Sequence, residues 1–259
     1  MEQDSVRTYR LRGSRITAPQ QSALDKYWGI YGMQYSEDFI DIPALFPTSK
    51  TIVLEIGFGM GEATALIGRD FPDTGFIAVE VHKPGIGKLM ARIEELELSN
   101  IRIIEGDAHP ILKTMIADNS VDAIHLFFPD PWPKKRHNKR RIVNNEFLQL
   151  IHPKIKSGGY IHIATDWVPY AEYIQEVLTP SALFTGGVVK RPEWRPVTRF
   201  EGQGITKDHQ VTDLRYFKAQ ISPVTSYLPI FSILRTWRSS PGNLVAMKVS
   251  INCFTKSAS

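Results

Sequence analysis

Apolar residues return along this chain with two different periods. Between Gln20 and Tyr31, Leu24, Tyr27, Trp28 and Tyr31 recur at helical spacing, which predicts a short amphipathic helix covering one edge of a core. Pro43 and Pro47 then mark the approach to a different regime. From Thr51 the apolar residues come in short continuous runs: Thr51 to Ile56, Gly75 to Glu80, Ile101 to Glu105, a run through Leu126 that ends at Pro129, and Gly159 to Ala164. Short continuous runs of this kind are buried strands, and the expected class is α/β. Each of these strands ends near an acid: Glu55, Glu80, Asp107, Asp130 and Asp166. One such acid is a helix cap or a turn residue as often as a ligand, and Asp107 alone would read equally well as a cap. A series at successive strand ends is harder to explain that way, because ligands of open α/β sheets bind just beyond the carboxyl ends of the strands.

The first strand runs into Glu55-Ile56-Gly57-Phe58-Gly59-Met60-Gly61. Glycines there let the chain turn tightly and approach a ligand closely. The dinucleotide fingerprint would require glycine at position 62, where the chain has Glu62, and it has no acid two residues before its first glycine. A cofactor bearing a cationic amino group fits better, with Glu55 facing the positive charge. Glu80 is placed to take a ribose diol, and Asp107 to accept from an adenine amino group.

The densest chemistry lies in Leu126 to Arg141, LFFPDPWPKKRHNKRR, where one carboxylate stands between a buried strand and six fixed positive charges. Three prolines stiffen the turn holding Asp130 and Trp132. Lys134, Lys135, Arg136, Lys139, Arg140 and Arg141 would offer phosphate contacts, although charge runs are often only solvated faces. Overall charge adds little to this. The net +4 is carried by the tail from Ala219, which has Arg235, Arg238, Lys248 and Lys256 and no acid, so residues 1–218 are formally neutral. Any nucleic-acid argument therefore rests on clustering, here and in Arg7, Arg10, Arg12 and Arg15 of an arm-like N-terminus.

The stretch from Lys190 to Gln210 has little helix or strand signal, and Arg191, Arg195, Arg199 and Lys207 suggest an RNA clamp. His125 and His162 lie inside strands and read as core residues. The lone Cys253 excludes an intramolecular disulfide and any multi-cysteine metal site. No metal is expected. The longest greasy segment near the C-terminus, Tyr227 to Leu234, is too short to span a bilayer, so the expectation is a soluble protein without membrane association.

Four stretches together carry a family likeness: LEIGFGMGE at 54–62, FPDPWPKKRHNKRR at 128–141, ATDW at 164–167, and RPVTRFE at 195–201 followed by DHQVTDL. In these the chain resembles the bacterial tRNA (guanine-N7-)-methyltransferase family, from about Arg7 to Asp213. The resemblance implies a Rossmann-like class I S-adenosylmethionine-dependent methyltransferase, with a mostly parallel seven-stranded sheet and helices on both faces. Residues 1–48 would form a basic arm and helix, 49–218 the methyltransferase domain, and 219–259 a tail beyond the family pattern, for which helix, strand and disorder all remain open. Cofactor contacts would fall on Glu55, Gly57, Gly59, Gly61, Glu80, Asp107 and Asp130; apart from the resemblance, a carboxylate that stabilises charge growing on the base is the catalytic group the chemistry asks for, with Asp130 as first choice and Asp166 and Glu201 as the alternatives. Substrate contacts would fall on Lys134, Asp166, Thr198, Arg199, Phe200 and Glu201, and RNA contacts on Arg136, His137, Asn138, Lys139, Arg140 and Arg141. The implied reaction is methylation of N7 of guanine 46 in the tRNA variable loop, in the cytoplasm, by a monomer or homodimer. Asp130-Pro131-Trp132 also suits an amino-directed nucleic-acid methyltransferase, and a non-catalytic RNA-binding protein on the same fold is the other alternative.

Overall fold

Within the strands, successive side chains divide between two faces. Leu54 and Ile56, Ile77 and Val79, Ile104, Ile124 and Leu126 enter one buried cluster; Val53, Phe76 and Ala78, Ile101 and Ile103, Ala123 and Phe127 enter another. A sheet apolar on both faces must be covered on both, and helices do so here. The computed structural model describes residues 7–10, 15–198, 201 and 210–220. All of these belong to one compact unit, Met1–Ser222; the second unit, Pro223–Ser259, lies outside the described residues, so that of the tail 219–259 only Ala219 and Gln220 are described.

In chain order the helices are α1 (Ala18–Tyr31), α2 (Ile42–Leu45), α3 (Glu62–Asp70), α4 (Lys83–Glu95), α5 (Ala108–Thr114), α6 (Asn145–Lys154) and α7 (Val168–Leu178). The strands are β1 (Gly32–Met33), β2 (Thr51–Ile56), β3 (Thr74–Glu80), β4 (Ile101–Glu105), β5 (Val121–Phe127), β6 (Ile155–Thr165), β7 (Phe184–Val189) and β8 (Thr212–Lys218). They form one sheet in the order β1-β4-β3-β2-β5-β6-β8-β7, parallel except that β8 runs antiparallel to β6 and β7. Among the described residues the sheet therefore has eight strands, which corrects the expected seven. The extra strand is β1, whose two residues leave α1 and pair with the otherwise open edge of β4. It is too short to leave a periodic signal in the sequence.

Helices α5, α6 and α7 cover the first face, through residues such as Ile111, Phe147, Leu148, Tyr170 and Ile174. Helices α3 and α4 cover the second, through Ala65, Ile67, Ile86, Leu89 and Ile93, with Leu24, Tyr27, Trp28 and Tyr31 of α1 packed alongside. The chain proceeds outward from β2 through β3 to β4 and then returns to β5 on the other side of β2. That reversal makes the gap beyond the ends of β2 and β5 the switch point, where open sheets bind ligands.

Candidate active site

At one side of the switch point, Gly57, Gly59 and Gly61 take φ of 73°, 60° and 68°, a left-handed region that costs other residues about 1–2 kcal/mol each. A second constraint comes from α4. A Cβ placed on Gly85 would lie 1.8 Å from the Gly59 carbonyl oxygen, so the helix start and the loop meet backbone to backbone. Glu80, at the end of β3, holds the loop in this shape. Its Oε2 accepts from Gly59 N at 2.7 Å, and its Oε1 from Val81 N at 2.7 Å and His82 N at 3.0 Å. A carboxylate has about four lone-pair sites, so these three bonds still leave capacity for a ligand hydroxyl. Asp107 caps α5, accepting from His109 N at 3.0 Å, while also lining the same cleft.

Across the gap, the loop after β5 is held in an unusual conformation. Phe128 and Trp132, either side of Asp130, adopt φ of 52° and 45°, each costing about 1–3 kcal/mol unless the surroundings over-determine it. Anchors are present at both: Phe128 N donates to Ala164 O at 2.7 Å, and Trp132 is 5% exposed with its indole Nε1 donating to Thr8 O at 3.0 Å. Arg10 and Arg140 place guanidinium groups 4.9 and 5.0 Å from the Trp132 ring, and His137 meets its edge at 5.7 Å. Asp130, half-buried, accepts from Arg10 N through Oδ2 at 2.8 Å. The segment from Arg7 to Arg10 thus lies over the cleft, fastened to Asp130 and Trp132, and Trp132 is used for packing.

Two open clefts result. One is lined by Glu80, Asp107, Asp130 and Thr8 to Arg10, with Ile56, Val79, Ala108, Leu126 and Ile142 as apolar wall. The other is lined by Glu55, Phe58, Met60, Glu62, Phe127, Arg195 and Thr198. Both include Gly57, Gly59 and Phe128, so they meet at the glycine loop. Glu55 is 2% exposed and its Oε2 has no hydrogen-bond partner. Burial pushes its carboxyl up to about 7, against the pull of the Thr64 hydroxyl and with a further push from the Glu80 charge. A buried carboxyl with one unpartnered oxygen at a cleft wall is suited to an ammonium group. An adenosyl group in the first cleft and an amino acid tail in the second match these linings, so the residues present fit S-adenosylmethionine.

Beyond the clefts, the basic run divides between solvent and interior. Lys134, Lys135 and Arg136 are exposed; a 3-10 helix, Lys135–Arg140, follows the Asp130 loop and carries Lys139 outward. Arg141 turns inward instead: it is 7% exposed, donates to Pro131 O at 3.0 Å, and stacks its guanidinium 4.4 Å from the Tyr173 ring. Asp166 follows β6 and is half-buried, and Thr198 stands at the second cleft. Arg199 and Phe200 lie outside the described residues. Glu201 is 2% exposed, and Arg195, which the sequence suggests as part of a clamp, is 1% exposed and bonded to it. His125 and His162 are buried side by side on β5 and β6; burial lowers His125 to about 3, helped by His162 and Arg215, which keeps it neutral. Among the described residues no helix is long and apolar enough to cross a membrane, and no cluster of acids, histidines or cysteines could hold a metal.

Both the fold and the sequence are similar to those of known proteins. The fold resembles the crystal structure of the 16S rRNA methyltransferase KamB, with TM-score 0.53 and 15% identity, covering 71% of this chain and 95% of that one. A tRNA (guanine-N(7)-)-methyltransferase of Streptomyces avermitilis is 46% identical over 220 residues, 83% of this chain and 76% of the relative. One of Neisseria meningitidis serogroup A is 46% identical over 213 residues, 81% of this chain and 90% of the relative. The Methyltransf_4 methyltransferase family model matches residues 49–214, from just before β2 into β8. With that match spanning every strand-end acid of the clefts, and relatives of this identity over four-fifths of its length, the chain belongs to the tRNA (guanine-N7-)-methyltransferase family.

Proposed function

We propose that this protein transfers the methyl group of S-adenosylmethionine to N7 of guanine 46 in the variable loop of tRNA. The observation that carries this reading is the pair of clefts joined at Gly57, Gly59 and Phe128, acidic at both ends and opening beside the basic run after Asp130. Bound there, the cofactor supplies an electrophilic methyl group on a sulfonium. What remains for the chain is to bind, orient and exclude water. Guanine N7 presents an in-plane lone pair and no proton, so the transfer needs no obligatory base. Catalysis then rests mainly on near-attack placement and on electrostatic stabilisation of the positive charge growing on the base. Asp130 serves the second purpose: Oδ1, which Arg10 N does not occupy, accepts from the guanine N1–H and N2–H edge. Lys134, Asp166, Thr198, Arg199, Phe200 and Glu201 hold the nucleotide, residues 49–218 carry the transfer, and the protein works in the cytoplasm.

Phosphate contacts come from Arg136 to Arg140. Replacing Lys139 and Arg140 together with Ala is expected to flatten the salt dependence of tRNA binding by up to about 0.7–0.9 slope units for each phosphate no longer neutralised. Arg141→Ala is expected to lower thermal stability instead, because its guanidinium is buried on Pro131 O and Tyr173. Filter binding across salt, with thermal melts in parallel, checks both; a pair of variants indistinguishable in both assays contradicts the division.

The proposed reaction is tested by incubating unmodified total tRNA with methyl-labelled S-adenosylmethionine and analysing the nucleosides. Label in 7-methylguanosine, absent with transcripts that have no guanine at position 46, is the expected result. Label in an amino-methylated nucleoside, or none at all, overturns it.

A further inference from the structure

A buried ionic cluster centred on Arg195 borders the second cleft. Arg195 places all its nitrogens on two carboxylates. Nη1 and Nη2 donate to Oε2 and Oε1 of Glu201 at 2.8 and 3.0 Å, and Nε and Nη2 donate to Oδ1 and Oδ2 of Asp213 at 2.8 and 2.9 Å. Arg195 and Glu201 have side chains 1% exposed, as does Asp213. Asp213 belongs to β8, and its Oδ1 is shared between Arg195 Nε and His162 Nε2, each at 2.8 Å. The tautomer follows from the neighbours. Arg215 Nε faces His162 Nδ1 at 3.4 Å and has only a proton to offer, so Nδ1 carries the lone pair and Nε2–H donates to Asp213. Burial works against charge on Asp213, but the bonds from His162 and Arg195 outweigh it and hold its pKa below the ordinary carboxylate value.

Register explains why this cluster reaches the site. Glu55, His125, His162 and Arg215 are direct partners across β2, β5, β6 and β8, forming one polar row on one face of the sheet. Trp194 closes over the row, stacked 5.1 Å from His125 and meeting His162 edge-on at 5.4 Å. Arg195 follows directly and lines the second cleft with Glu55 and Thr198, while Glu201 N donates to Thr198 Oγ1 at 3.2 Å. From the fixed strand to the cleft wall, the chain of bonds is His162, Asp213, Arg195, Glu201, Thr198.

We propose that Arg195 is a positioning residue for methyl transfer: through Asp213 it ties Glu201 and Thr198 to the sheet and so sets the wall against which the target base is placed. This rests on the function proposed above. A planar guanidinium is the group that suits the task, since it takes Asp213 side-on through Nε and Nη2 and Glu201 end-on through Nη1 and Nη2 at once, which an ammonium cannot reproduce. A wall displaced by about 1 Å costs near-attack geometry without removing any phosphate contact, and the rate then falls on the order of a hundredfold.

The test uses the full chain with tRNA and S-adenosylmethionine, after wild type has been shown to form 7-methylguanosine; failure at that step rejects the function and not this inference. Arg195→Lys and Asp213→Asn are measured singly and together. The expected result is a fall in kcat of about tenfold to a hundredfold, with cofactor Kd and tRNA KM within about threefold of wild type, and a double variant no worse than the poorer single one. Should Arg195→Lys fail to fold, because buried carboxylates are left uncompensated, Asp213→Asn and Asp213→Glu carry the test. Asp213→Glu restores the charge and is expected to regain part of the missing kcat. Folded variants with unchanged kcat overturn the proposal, and so do variants in which cofactor Kd and tRNA KM rise and kcat falls in step with a falling melting temperature.

Discussion

Asp130→Asn is expected to leave the fold and most of the tRNA affinity intact while reducing turnover by about a hundredfold or more. The fold is preserved because the amide oxygen still accepts from Arg10 N, the bond Asp130 makes at 2.8 Å. Affinity is preserved because phosphate contacts dominate nucleic-acid binding, and in the function proposed above those fall to Arg136 to Arg140. Turnover falls for two reasons. The substitution removes the negative charge that stabilises a base becoming cationic, and it places an N–H donor where guanine also donates. Because N7 carries no proton, the residual activity should keep the shape of the wild-type pH profile and not show the loss of a required base. Single-turnover methyl transfer across pH, with cofactor affinity measured alongside, is the assay. Near-normal turnover would shift the role to Asp166 or Glu201. A defect confined to cofactor binding would make Asp130 a cofactor ligand only.

Much of the frame that holds Asp130 is legible in the sequence because its causes are local. Continuous apolar runs such as Thr51 to Ile56 can only be strands covered on both sides, and an acid at the end of each points to the carboxyl edge of a sheet. Gly57, Gly59 and Gly61 point to a tight turn from strand to helix, and the turn is there, with all three in left-handed backbone. What stays hidden depends on partners far away in sequence. Arg195 and Arg141 look like their exposed neighbours, and nothing in RPEWRP or KRRIV says which guanidinium turns inward. Arg195 turns inward because Asp213 and Glu201 wait there, and Arg141 because Tyr170 and Tyr173 of α7 offer ring faces at 5.2 and 4.4 Å. Burying an arginine is tolerable only where the charge is met, and that condition belongs to the fold and not to the segment. The same holds for Thr8 and Arg10: their composition indicates an arm, but the bonds to Trp132 and Asp130 span more than a hundred residues.

Glu80 and Asp107 illustrate a middle case. Each is expected from its strand-end position to face the cofactor, and each lines the first cleft. Yet each also has backbone work: Glu80 fixes Gly59, and Asp107 caps α5. Cap and ligand compete as readings of the sequence alone, whereas one carboxylate has enough acceptor sites for both. A strand-end acid that organises the loop around it is already held in place when the ligand arrives, which reduces the ordering cost of binding.

Glu55→Gln is expected to act in opposite directions on stability and on binding. In the folded protein burial raises the Glu55 carboxyl from an ordinary value of 4.5 to about 7. Between those two pH values the native state holds a proton that the unfolded chain has lost, so the stability of the cofactor-free protein decreases as pH rises and levels off above about 7. The 2.5 units between 4.5 and about 7 correspond to a cost on the order of 3 kcal/mol once the group is ionised. Gln keeps the volume and never ionises. At pH 8 the cofactor-free variant should therefore melt higher than wild type by several degrees, while at pH 4 the two should converge. Binding responds the other way. An ammonium group beside the unpartnered Oε2 favours the ionised carboxyl, so wild-type affinity for S-adenosylmethionine should rise from pH 6 to pH 8, with release of a fraction of a proton near neutrality. In the variant affinity should be weaker, by about tenfold or more at pH 8, and nearly independent of pH across that interval. Calorimetry in two buffers of different ionisation enthalpy measures both the affinity and the proton count, and melting scans supply the stability arm. A wild-type affinity flat between pH 6 and 8, or a Gln variant less stable than wild type at pH 8, would remove Glu55 from the cofactor site and return the second cleft to the substrate alone.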